Sequence, residues 1–191
     1  MGYRISKVYT GTGDAGTTGM ADGQRLAKSH PRIEAIGELD MLNSQLGLLL
    51  AQLQQQGLTD IFDSLAPYQH LLFDLGGELA MPEYQVLQAA HIQQLETLID
   101  RWAEQLSPLK DFILPGGSVL IAQAHICRCA ARTAERRCQL LHEHEPLRAE
   151  VLGFINRLSD VFFVAARMIA LHEASHEVLW QAQPAPVVSN E

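Results

Sequence analysis

Residues 118–141 read Ser-Val-Leu-Ile-Ala-Gln-Ala-His-Ile-Cys-Arg-Cys-Ala-Ala-Arg-Thr-Ala-Glu-Arg-Arg-Cys-Gln-Leu-Leu. Within this run Leu120, Ala124, Cys127, Ala131, Ala134, Cys138 and Leu141 recur at alternating steps of 4 and 3. That is the period of one stripe on an α-helix facing a core. Most of the stripe is Ala and Cys, so a neighbouring helix can approach closely and hold rigidly whatever flanks the seam. Pro115-Gly116-Gly117 forms a turn before it, and Ser118 is placed to cap the helix.

Four further seams share this period. They are Leu39, Leu42, Leu46, Leu49 and Leu53; Ile61, Leu65, Tyr68, Leu72, Leu75 and Leu79; Ile92, Leu95, Ile99, Trp102 and Leu106; and Leu152, Ile155, Ser159, Phe162, Ala166 and Ile169. Pro31 and Pro146 suit first helical turns, and Gly57 suits the position after the first helix. The pattern predicts an all-α fold, a five-helix bundle with ferritin-like up-down packing and short connections. It divides into a Gly-rich segment over 1–30, a bundle over 31–180 and a mobile tail over 181–191, broken by Pro184, Pro186 and Ser189. A short strand is expected at Arg4–Tyr9.

Hydrophobic residues are 47% and charged residues 19% of the chain, a globular composition. A net charge of −8 argues against general nucleic-acid binding, which relies on Lys and Arg to neutralise phosphates. Cys127, Cys129 and Cys138 are too few and too close for a disulfide framework, and read as small helix residues of a reducing cytoplasm. No secretory signal or membrane span is expected.

Two constellations carry chemistry. The run Thr10-Gly11-Thr12-Gly13-Asp14-Ala15-Gly16-Thr17-Thr18-Gly19 offers glycines, hydroxyls and closely spaced N–H groups that can wrap an anion. By letter it contains G-x-G-x-x-G, but no strand precedes it and no apolar helix follows it within a βαβ unit. It also lacks the Gly-Lys-Ser/Thr ending of a P-loop.

The second is the arginine row Arg128, Arg132 and Arg136, which spans about 80° of one helix face, with Glu135 beside it. Such a row either holds a polyphosphate through forked hydrogen bonds or forms ordinary helix-internal ion pairs. Arg128, Arg132 and Glu135 each sit one residue after a seam position. So do Asp40 and Asn43 on the first helix, and Asn156, Asp160, Phe163 and Arg167 on the fifth. Polar residues bordering three seams suggest a site between helices or between subunits, where Asp40 and Arg128 can pair across protomers.

A rival signal is His172-Glu173-Ala-Ser-His176, which matches the helical zinc motif H-E-x-x-H. Little chain follows it to supply a third ligand and a cleft. His142 and His144 are two apart and read as an exposed helix end.

Taken in order, Tyr9–Thr18, Arg32–Ser44, Phe112–Gly117, Arg128–Arg137 and Asn156–Asp160 resemble the motifs of PduO-type ATP:cob(I)alamin adenosyltransferases over about residues 7–180. The resemblance implies transfer of the 5′-deoxyadenosyl group of ATP to cob(I)alamin, with Mg²⁺. It implies a cytoplasmic homotrimer with sites between subunits, and a reductase or an adenosylcobalamin-dependent enzyme as a partner. Thr10, Gly11, Thr12, Gly13, Asp14, Gly16, Thr17, Thr18 and Lys28 would cradle the triphosphate. Arg132, Glu135, Arg136 and Asn156 would hold ATP, and Asp40 and Arg128 would pair between subunits. Phe112 would lie under the corrin ring and displace its lower nitrogen ligand. Thr133 and Ala15 depart from the family, where many members carry basic residues. A binding module that senses or delivers ATP or cobalamin without catalysis is the alternative.

Overall fold

The computed structural model describes residues 8–182. A small antiparallel ribbon of β1 (Thr17–Gly19) and β2 (Arg25–Ala27) precedes five helices. These are α1 (Pro31–Gln55), α2 (Thr59–Ala80), α3 (Ala89–Ala103), α4 (Val119–His142) and α5 (Ala149–His172). The all-α bundle expected from periodicity is the fold observed.

The seams of α1, α2 and α4 are buried at every position named from the sequence. The caps follow ordinary chemistry. Pro31 opens α1 behind His30, whose Nδ1 accepts from the Arg32 N–H at 3.2 Å. Gly57 ends the α1 connection at φ 70°, in the left-handed region. Ser118 Oγ accepts from the Ile121 N–H at 3.2 Å and caps α4 as expected.

α5 departs from the single-stripe reading. Leu152 is only half-buried, whereas Phe154, Leu158, Val161, Ala165 and Met168 are buried beyond the predicted seam. The reason is position: α5 packs against α4, α3 and α2, so most of its circumference is inside. On α3 the core positions are Leu95, Leu98 and Trp102, while Ile92 and Ile99 are half-buried and Leu106 lies beyond the helix. Pro146 does not start α5; Arg148 is the N-cap residue and Pro146 lies two residues earlier.

A buried carboxylate fixes the far end of the bundle. Glu78 accepts from the Val86 and Leu87 N–H groups at 3.0 and 3.2 Å and from Arg148 Nε at 2.9 Å. It thereby ties the α2–α3 connection to the start of α5, and the pairing offsets the cost of burying its charge. At the same end, Arg32 donates to Leu79 O and pairs with Glu145, joining α1 to the end of α2 and to the α4–α5 turn.

The ribbon is where the sequence reading fell short. Residues 20–30 hold a strand and turns, with Gly23 at φ 87°. The strand expected at Arg4–Tyr9 falls largely outside the described residues, and Val8 and Tyr9 are exposed and in no strand. Most of the expected tail, 183–191, also lies outside them. Among the described residues no helix is long and apolar enough to cross a membrane.

Candidate functional site

The Gly-rich run folds into successive turns closed by the ribbon. Asp14 N donates to Gly11 O at 3.3 Å, Gly16 N to Gly13 O at 3.2 Å and Lys28 N to Gly16 O at 2.9 Å. Gly11 and Gly16 adopt φ of 70° and 82°, which side-chain-bearing residues avoid. A methyl group on Gly13 would meet Thr17 O at 3.3 Å and Lys28 Nζ at 3.4 Å. The lysine thus lies over the loop backbone, and a side chain at Gly13 would crowd it. Thr10 and Thr12 share a hydroxyl–hydroxyl bond of 2.9 Å.

Arg25 holds this loop and was not singled out from the sequence. Its Nη2 donates to Thr12 O at 2.7 Å, Thr17 O at 3.1 Å and Thr17 Oγ1 at 2.8 Å. Its Nε donates to the same hydroxyl at 3.2 Å. One guanidinium therefore sets the two halves of the loop against each other. No periodicity reports such a residue, because it sits on an exposed strand of three residues.

On α4 the helix-internal ion pairs that the spacing permits do not form among the described residues. Glu135 instead accepts from Asn156 Nδ2 of α5 at 2.7 Å. Arg132 is exposed, and among the described residues it has no hydrogen-bond or ion-pair partner. Arg136 Nη2 donates to Thr133 Oγ1 at 2.9 Å, and that hydroxyl donates to Cys129 O at 3.1 Å. Thr133 therefore steers Arg136 rather than adding a charge. Of the expected site residues, Glu135 and Asn156 are brought together, as are Gly13, Thr17 and Lys28. Among the described residues no hydrogen bond or ion pair joins the loop to the arginine row, or Asp40 to Arg128. Arg128 is half-buried with its Nε unpartnered, and so is the Oδ1 of Asn43.

Phe112 lies on the α3–α4 connection and is 80% exposed. Its neighbours are fixed: the Trp180 N–H donates to Phe112 O at 2.7 Å, and the Leu114 N–H donates to Val178 O at 2.8 Å. Arg167, half-buried on α5, pairs with Glu177.

The family model described as cobalamin adenosyltransferase matches residues 8–169. This chain belongs to the PduO-type cobalamin adenosyltransferase family. A cobalamin adenosyltransferase from Cupriavidus metallidurans is 46% identical over 96% of this chain and 98% of its own length. A corrinoid adenosyltransferase from Bacillus subtilis is 44% identical, covering 85% of this chain and 86% of that protein. A variant PduO-type ATP:corrinoid adenosyltransferase from Lactobacillus reuteri, complexed with cobalamin and ATP, superposes with a TM-score of 0.87. It is 36% identical, over 92% of this chain and 100% of that one.

Within this family member the zinc motif loses its geometry. α5 ends at His172 and Ala174 turns the chain at φ 49°, so His172 and His176 do not share a helix face. Glu173 accepts from Ser118 Oγ at 3.0 Å and works as a tether. His142 is not simply an exposed end either: its Nδ1 accepts from the Leu147 N–H at 2.9 Å and shapes the α4–α5 turn.

Proposed function

We propose that this chain transfers the 5′-deoxyadenosyl group of ATP to the cobalt of cob(I)alamin, giving adenosylcobalamin and triphosphate. Family membership over most of the chain supports the reaction. The observation that carries the residue assignment is the exposed, carboxylate-free Arg132 beside the Glu135–Asn156 bond. A binding-only module is not favoured, since relatives at 44 and 46% identity carry transferase names.

The chemistry asks little of protein nucleophiles. The Co(I) centre supplies the electron pair that forms the Co–C5′ bond. The C5′–O bond breaks, and its pair leaves on the triphosphate oxygen. The protein aligns the two reactants and stabilises charge on the leaving group. Arg132 and Lys28 supply positive charge for it. The turns of Gly11, Thr12, Gly13, Asp14, Gly16, Thr17 and Thr18, closed by the Asp14 and Gly16 N–H groups, form the cradle with the hydroxyl of Thr10. Glu135, held by Asn156, receives the nucleoside end, and Arg136 reinforces the phosphate side.

Phe112 presents an apolar ring to the lower face of the corrin. By displacing the lower nitrogen ligand it makes Co(II) easier to reduce, with no titrating group involved. A magnesium ion, carried mainly by phosphates and water, would spread the charge of the leaving group. Loop and arginine row meet when protomers assemble as a homotrimer, with Asp40 of one pairing with Arg128 of another. The reduced substrate and the soluble-type bundle suit the cytoplasm, with a reductase upstream and an adenosylcobalamin-dependent enzyme downstream.

The deciding experiment is anaerobic. Chemically reduced cob(I)alamin and Mg-ATP are mixed with the purified protein, and adenosylcobalamin and triphosphate are measured. Equal amounts of both over many turnovers are expected. No product from folded protein with verified cob(I)alamin overturns the proposal.

A further inference from the structure

The α3–α4 connection bearing Phe112 is anchored at three places by the segment around the end of α5. At its start, Arg167 Nη2 donates to Ser107 O at 2.8 Å. At its middle, Ile113 bridges Leu179 in antiparallel fashion, flanked by the Leu114–Val178 and Trp180–Phe112 backbone bonds. At its end, the Ser118 hydroxyl donates to Glu173 while capping α4. The strap at 177–180 is itself secured by the same arginine, whose Nε donates to Glu177 Oε1 at 2.7 Å and whose Nη2 donates to Oε2 at 3.3 Å. The Arg167 side chain is only 11% exposed, so its forked pair is shielded from water and less screened than a surface pair.

Phe112 contributes little to the core, yet its carbonyl and the backbone of the next two residues are pinned. Behind the pinned segment lies a cavity of roughly 320 Å³, lined by Ile113, Leu114, His125, Ala166 and Ala170. The segment therefore does not owe its position to close packing beneath it. Its position comes from the strap and from Arg167.

We infer that Arg167 and Glu177 are positioning residues for Phe112: through the strap they set where its ring meets the lower face of the corrin. The inference rests on the role proposed above for Phe112. A residue that displaces a metal ligand by bulk must be placed to a fraction of an ångström, since a 1 Å error in a reacting geometry costs about a hundredfold. Neither Arg167 nor Glu177 needs to touch either substrate to do this.

The test measures ligand displacement directly. Cob(II)alamin is bound to the full-length protein with Mg-ATP, and the four-coordinate fraction is read by electron paramagnetic resonance. Glu177→Gln removes the charge of the pair. Trp180→Pro removes the N–H that holds the Phe112 carbonyl, whereas Trp180→Ala keeps it. Phe112→Ala reports on the underlying reading, and circular dichroism melts confirm that each variant is folded.

Glu177→Gln and Trp180→Pro should lower the four-coordinate fraction and the rate of on-enzyme reduction by a reduced flavin by about tenfold. Turnover of preformed cob(I)alamin should stay within about twofold. Trp180→Ala should retain most of the four-coordinate species, and Arg167→Lys should retain more than Arg167→Met. A wild-type fraction in both Glu177→Gln and Trp180→Pro, alongside loss in Phe112→Ala, overturns the role of the strap alone. An unchanged fraction in Phe112→Ala overturns the reading of Phe112 and this inference with it.

Discussion

The Glu135–Asn156 bond offers a sharp test, because its effects on folding and on activity should separate. Asn156 Nδ2 donates to a carboxylate at 2.7 Å across the α4–α5 border, and Asn156 is exposed. Removing an exposed bond of this kind costs folding under about 1 kcal/mol, because water replaces the lost partner. At a closed site with ATP bound, water is excluded, and a hydrogen bond to a charged group is worth about 1.5–3 kcal/mol. That converts to a fall of about 10- to 150-fold in kcat/KM for ATP in Asn156→Ala. If Asn156 acts by orienting Glu135, the double variant with Glu135→Gln should be little worse than the worse single variant. The coupling energy should then exceed about 1 kcal/mol. The assay is the initial rate of adenosylcobalamin formation from cob(I)alamin at varied ATP, with urea melts run in parallel. Additive losses within about 0.5 kcal/mol would refute the orienting role. A large fall in stability would show the bond to be structural instead.

Three further outcomes are expected. Arg25→Ala should raise KM for ATP by about tenfold with a smaller change in kcat, since it loosens the phosphate loop before binding; an unchanged KM would remove Arg25 from the site. Burial pushes the His125 imidazole below the ordinary histidine range, the Arg128 charge adds to this, and Glu177 opposes it. The unfolded chain then binds more protons than the folded one just below about pH 6.5, so stability is full above that value and falls as pH drops toward the folded pKa. His125→Gln should flatten the drop in Tm between about pH 7.5 and pH 5.5, and an identical drop would assign it to other groups. Burial also pushes the Cys127 and Cys138 thiols up to about 12. In native protein a thiol reagent at neutral pH should spare both and reach only the exposed Cys129, with all three reacting after denaturation. Rapid native labelling of Cys138, followed by peptide mapping, would contradict the packing of α4.

How legible the fold was depends on how each helix is used. α1, α2 and α4 face the core on one side, so a stripe at steps of 3 and 4 identifies their buried residues. α5 is surrounded, and a one-stripe reading hides Phe154 and Leu158 because its apolar residues extend well beyond one stripe. Pro146 misled the placement of α5 because a proline near a helix start fits the turn before the cap as well as the first helical turn. The ribbon was illegible for another reason. Its strands are three residues long, mostly exposed, and held by the Arg25 guanidinium rather than by apolar alternation. The strap at 177–180 was likewise hidden, since it is joined to Phe112 by backbone bonds that no side-chain pattern announces.

One contact of the candidate site was legible through the offset of its residues from the seams. A polar residue one position past a seam is carried to the rim of a helix–helix contact, where it can reach across. Glu135 and Asn156 occupy that position on adjacent helices and meet. The same offset does not by itself separate function from architecture, because Arg167 shares it and pairs with Glu177. The arginines at these rims differ in neutralisation. Arg32, Arg148, Arg157 and Arg167 each have a glutamate partner, and each ties two parts of the fold together. Arg128, Arg132 and Arg136 form no ion pair among the described residues. The chain has 22 acidic against 14 basic residues, so carboxylates are not scarce. Arg25 and Arg101 also lack an ion pair among the described residues, and each is held by a neutral oxygen instead. Arg132 has neither, since Glu135 three residues on is bound to Asn156, and under the proposed reaction its charge stays available to an incoming triphosphate.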